Sequence, residues 1–153
     1  MFYVRAILGP VLGVFLGGFA MIQLHNLGML IWPEDPYPGE NVAQEVLHAW
    51  MEGLSLQTKL FATFAHWAGT ATAAFLAVLF SPNLKSTGER SMVFAWIAGV
   101  WYTIGGAANA YMLGTPMWLS VLDLAGYIPA AYFTGRATLN WLASRAASSA
   151  YLP

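Results

Sequence analysis

His25, His66 and Asp123 are the imidazole and carboxyl side chains of this chain that fall inside long apolar runs, with Asn26, Asn109 and Tyr127 in the same runs. Such groups are costly in a poorly solvated setting unless they find partners, so each marks a candidate site. An imidazole beside a carboxylate in such surroundings stabilises the other's charged form, which makes His66 with Asp123 the pair best suited to holding or passing a proton. Four uses of these residues stay open. They are an interhelical hydrogen-bond clasp that fixes register, a proton or small-solute site, a metal site built from His25, His66 and Asp123, and a haem held axially by His25 and His66. No close spacing such as H-x-x-x-H supports a metal, and a chain without cysteine has no c-type haem attachment, thiolate nucleophile or disulfide.

The elements that position these residues are four apolar runs, 6–32, 60–80, 91–115 and 117–136. The first three contain no Asp, Glu, Lys or Arg, and Met117 to Gly135 contains one charge, Asp123. A helix of about 20 residues crosses a ~30 Å hydrocarbon layer, so each run is long enough to span. Only 8% of the 153 residues are charged, against about 25% in soluble domains. The fold expected is all-α: one integral membrane four-helix bundle using residues 1–153, with no room for a second domain. A net charge of -1 and no basic stripe argue against nucleic acid as a partner. Arg5 followed by an apolar stretch and Gly18-Phe19-Ala20 has some features of a secretory signal, but the run continues to Trp32, and a retained helix is the expectation. Counted from the run ends, His25, Asn26, His66, Asn109 and Asp123 all lie roughly 6–10 Å below one surface. Thr63 and Thr70 on the His66 face, and Tyr127 four residues after Asp123, would extend a polar seam inward.

Charges outside the runs predict orientation. Arg5, Lys85, Arg90, Arg136 and Arg145 fall on one side, and Glu34, Asp35, Glu40, Glu45 and Glu52 fall on the other with Lys59. Basic loops stay cytoplasmic, so both termini are expected inside. Trp32, Tyr37, Trp50 and Trp118 would form the outer aromatic belt, and Tyr3 and Trp141 the inner one. In the outer loop, 33–59, Pro33, Pro36, Pro38 and Gly39 stop the first helix. Val42, Val46, Leu47, Trp50 and Leu54 then recur at helical spacing, which predicts an amphipathic helix over about 40–55, either an interfacial connector or a lid.

Internal similarity suggests two tandem hairpins. Asn26, Met29, Leu30 and Pro33 match Asn109, Met112, Leu113 and Pro116, while Ala68, Gly69, Ala73, Ala74 and Phe75 match Ala125, Gly126, Ala130, Ala131 and Tyr132, which aligns His66 with Asp123. Gly9, Gly13 and Gly17 form a small-residue stripe that can pack within the chain or against a second copy, and Ala65, Gly69, Ala73 and Ala77 form another. Pro129 predicts a bend in the last run.

The stretch Met21 to Pro38 with His25, the small-rich Ala65 to Ala77, Asn109 before Pro116-Met117-Trp118, and Pro129-Ala130-Ala131 leading to Gly135-Arg136 together resemble a family of small bacterial four-span membrane proteins without established activity. The similarity spans roughly residues 5–136. Gly114-Thr115 departs from it, where a more polar tip is expected. The resemblance implies a four-span fold in the bacterial inner (cytoplasmic) membrane and nothing catalytic. The leading expectation is a non-enzymatic subunit, self-associating as a homo-oligomer or accessory to a larger membrane complex. The alternatives are a proton-coupled or small-solute transporter using His66 and Asp123, and a haem- or quinone-binding accessory protein using His25 and His66.

Overall fold

The computed structural model describes residues 2–39, 41–82 and 91–150. Glu40, Lys85 and Arg90, used above for the loop and the orientation, lie outside the described residues. Among those described there are five helices and no strands: α1 (Phe2–Ile31), α2 (Gln44–Gly53), α3 (Leu56–Phe80), α4 (Val93–Leu113) and α5 (Met117–Ala150).

Each boundary has a local cause. α3 begins at Leu56, earlier than the apolar run, because Ser55 caps it and accepts from the Thr58 amide at 3.2 Å. Glu34 ties the preceding loop to this start, accepting from the Ser55 amide at 3.0 Å and from Thr58 Oγ1 at 2.7 Å. α4 ends at Gly114, whose φ of 61° closes the helix in the left-handed region that a side chain disfavours. α2 is shorter than the 40–55 predicted: it starts at Gln44, after a turn and an extended Ala43, and ends at Gly53. α5 continues well past 136: Ala-rich sequence propagates the helix to Ala150, and it runs through Pro129 as one element.

Two helices, over Tyr3–Ile31 and Leu56–Phe80, are long and apolar enough to cross a membrane. α4 and α5 fall short of that measure. α4 intersperses Trp96, Trp101, Tyr102 and Asn109 among its aliphatic residues, and α5 carries Asp123 and Pro129.

Side-chain size is distributed the opposite way from a water-soluble fold. Ala65, Ala73, Ala74, Ala77, Ala95, Ala98 and Ala131 are fully buried, while Phe15, Phe19, Leu30, Trp101, Ile104 and Phe133 are exposed. Burying apolar bulk is what drives a soluble fold together, and this interior holds little of it. Dispersion between closely approaching backbones holds these helices instead. The α1–α3 seam is the tightest: a Cβ on Gly13 would stand 2.6 Å from the Ala73 carbonyl oxygen, and one on Gly9 3.2 Å from that of Ala77. α3 is the central helix, packed against α1, α4 and α5, and α4 and α5 pack on each other. α1 and α4 meet at mid-length, where Tyr102 Oη donates to the Val14 carbonyl at 2.8 Å.

Candidate functional site

Between that Tyr102–Val14 contact and α2 the helices leave a partly open cavity of about 410 Å³. One wall is α1 at His25, Gly28 and Met29; the facing wall is α4 at Gly106, Asn109 and Leu113. Trp50, Met51 and Leu54 of the α2 region roof it, and His25, His66 and Asp123 contribute its polar surface. α2 is held in place by its polar ends. Gln44 Nε2 donates to the Met112 carbonyl at 2.9 Å, completing the exposed end of α4, and Trp50 Nε1 donates to the Asp35 carbonyl at 3.0 Å.

At the cavity floor, His66 Nδ1 lies 2.8 Å from Asp123 Oδ1, and Tyr127 Oη donates to Asp123 Oδ2 at 2.7 Å. Both carboxyl oxygens are therefore engaged. Asp123 is 7% exposed and Tyr127 2%, so the network sits at the edge between packed interior and open cavity. With the carboxylate accepting, the His66 proton resides on Nδ1 and Nε2 is left without a protein partner. No enclosed side-chain nitrogen or oxygen among the described residues lacks a partner, so His66 Nε2 is not sealed in and faces the cavity that His66 lines. The His25 ring lies beside it, with centroids 5.0 Å apart, and His25 Nε2 stands 3.4 Å from the Ala62 carbonyl, a long and weak contact.

The predicted site residues separate into three groups. His25, His66, Asp123 and Tyr127 come together. Asn109 lines the cavity wall and makes no hydrogen bond to the pair. Asn26 does not join: it is exposed and outside the cavity lining, because one residue turns the helix by about 100°. The inward seam also stops at Tyr127. Thr63 and Thr70 donate to their own helix at the Lys59 and His66 carbonyls, 3.1 Å and 2.9 Å away, and so extend no chain.

Two cofactor readings meet geometric objections. The imidazoles of His25 and His66 are in ring contact, which leaves no space for a porphyrin plane between them. Among the described residues no group of three or more His, Asp or Glu is arranged to hold a metal ion. The alternative set of His25, His66 and Asp123 is not arranged as such a group, His66 Nδ1 being hydrogen-bonded to Asp123 Oδ1.

Three supporting residues were not among the predicted site residues. Trp67 Nε1 donates to the Asp123 main-chain carbonyl at 2.9 Å, pinning α5 to α3 beside the pair. Gly126 makes room for that indole, since any Cβ there would overlap it. Gly106 makes room for the Tyr127 ring, a Cβ there standing 2.6 Å from Oη. The signal the sequence carries for two of them is the adjacency of Trp67 to His66 and of Gly126 to Asp123 one turn on.

The Gly9, Gly13 and Gly17 stripe faces α3 of the same chain, against Ala77, Ala73 and Gly69. That surface is consumed internally and is not free for a second copy.

No protein-family model, curated protein or solved structure matches this chain, so the site's own geometry carries the functional argument.

Proposed function

We propose that this chain is a four-span membrane protein of the bacterial inner membrane, with both termini cytoplasmic and α2 on the outer side. In this reading it acts without catalysis, by binding a small solute in the cavity under α2. The observation that carries the reading is the coincidence of an open apolar cavity with a paired, unsealed imidazole at its floor. A clasp that only fixed register would close over its polar groups, and a cavity that arose only from poor packing would stay apolar. α1 and α3 supply the two helices whose length and apolar character already suffice for spanning. The apolar outer faces of α4 and α5, with Trp101 61% and Phe133 69% exposed, support membrane placement for these two as well.

The experiment is native mass spectrometry of the protein released from mild detergent. A small molecule retained at one copy per chain is expected, and Leu113→Trp, which fills the cavity from α4, should lose it while the helical circular-dichroism spectrum stays unchanged. Equal retention by the two proteins, or no retained molecule in either, rejects the reading.

A second reading, an accessory subunit of a larger membrane complex, is favoured by a separate feature. Val93, Trp96, Ile97, Val100, Trp101 and Ile104 form a shallow apolar groove along α4. A partner helix seated there would make Trp101→Ala dissociate a co-purifying protein without affecting the cavity.

A further inference from the structure

We propose that the cavity takes the ring head of a lipid-borne quinone or quinol, its carbonyl or hydroxyl set on His66 Nε2. This assignment rests on the cavity-binding reading above and names the class of ligand.

Charge is the first argument. The floor matches one imidazole with one carboxylate, and both carboxylate oxygens are already bonded, so an ionic head would meet no unpaired opposite charge there. The one lysine among the lining residues, Lys59, donates to the Glu52 carbonyl at 2.9 Å. A neutral hydrogen-bonding head fits such a floor. His66 Nε2 accepts from a hydroxyl when the imidazole is neutral and donates to a carbonyl when it is protonated, so one atom serves both the oxidised and the reduced form of such a ring.

Shape is the second. The cavity surfaces include Phe61 and Met29 on the walls and Trp50 in the roof, faces that pack well on a flat ring. A volume of about 410 Å³ is in the range of sites that enclose a small organic molecule, roughly 300–1,000 Å³.

Access is the third. α1 and α4 close on each other at Tyr102–Val14, and toward α2 their facing residues line the cavity instead. Met29 on α1 and Asn109 on α4 are both exposed and both part of that lining, so the cavity edge reaches the flank of the bundle. In a bilayer that flank faces lipid, and a ligand with a long isoprenoid tail can enter sideways and leave its tail outside.

The test uses the full-length protein in phosphatidylcholine nanodiscs, titrated with decylubiquinone and followed by quenching of tryptophan fluorescence. Saturable binding of one molecule per chain is expected, weakened at least tenfold in His66→Phe and in Leu113→Trp. Oleate, anionic and without a ring, should bind at least tenfold more weakly. Should His66→Phe fail to fold, Leu113→Trp alone decides, since it leaves the floor untouched. Linear partitioning that is the same in the wild type and Leu113→Trp overturns the proposal, as does oleate binding as tight as the quinone. A molecule that co-purifies in a cavity-dependent way and is not displaced by decylubiquinone overturns the quinone assignment while leaving the binding reading in place. Loss of cavity dependence altogether removes both.

Discussion

The two ends of the helical assembly are built on different rules. At the end away from α2, Gly9 and Gly13 face Ala77 and Ala73, Gly99 faces Ala131 and Gly135 faces Ala95, so that backbones touch with little between them. At the α2 end, Gly28 faces the Phe61 ring and Gly106 the Tyr127 ring, and the helices stand apart around a cavity. The first end has little room to give because its closest contacts are backbone at Gly9 and Gly13 and alanine methyls at Gly99 and Gly135, none of which can swing aside. The second end holds the ionisable groups and can give, because its contacts are side chains. A fold that must keep an imidazole reachable while losing no stability benefits from this division, since one end fixes the helices and frees the other to hold space.

The largest expected effect breaks the tight end. Gly13→Ala places a methyl 2.6 Å from the Ala73 carbonyl oxygen, where only a shift of α1 against α3 relieves it. We expect a loss of about 2 kcal/mol despite alanine's better helix propensity, read as a lower midpoint in detergent thermal unfolding. Gly28→Ala, by contrast, meets the Phe61 ring at 2.7 Å, and that ring can turn into the cavity it lines. Its cost should stay below about 0.5 kcal/mol, and equal costs at both positions would erase the contrast between the ends.

Next in size is Asp123→Ala, which strips His66 and Tyr127 of their shared partner. A loss of about 2 kcal/mol is expected by the same measurement, because both remaining groups are left without an acceptor. Tyr127→Phe removes a single buried hydrogen bond made within α5 and should cost about 1 kcal/mol. If Tyr127→Phe costs as much as Asp123→Ala, the carboxylate serves the tyrosine alone and the imidazole is incidental.

The smallest effect concerns the loop under α2. Hydrogen bonds from Ser55 and then Thr58 hold the Glu34 carboxyl below the usual carboxylate range. A carboxyl whose folded value is depressed contributes stability above its unfolded value, and that contribution is lost as pH falls through the lower folded value. Amide protection at Ser55 and Thr58, taken relative to the intrinsic exchange rate at each pH, should therefore fall at acidic pH in the wild type, and Glu34→Gln should show the lower protection already at neutral pH. Pro-rich geometry alone would leave that protection independent of both.

How far the sequence anticipated this arrangement follows from what each signal encodes. Position along a helix is set by rise per residue, so the common level of His25, His66 and Asp123 could be counted from the run ends, and the structure puts His66 and Asp123 2.8 Å apart. Direction around a helix is harder, because it depends on which face each neighbour takes. Asn26 shares the level of His25 and turns away from it, and Thr63 and Thr70 satisfy themselves on their own backbone. Glycine stripes announce close approach without naming the partner, and that of Gly9, Gly13 and Gly17 is α3. The cavity itself had no signal at all: it is a difference between how two ends pack, and arises where Tyr102 stops the approach of α1 and α4.

The most direct measurement is nitrogen-15 NMR of the protein in nanodiscs with labelled histidine, of which the chain has only three. The account predicts that His66 carries its proton on Nδ1, that Asp123→Asn shifts that signal, and that decylubiquinone shifts Nε2 in the wild type and leaves it unmoved in Leu113→Trp. A His66 spectrum indifferent to Asp123→Asn and to the added quinone would contradict it.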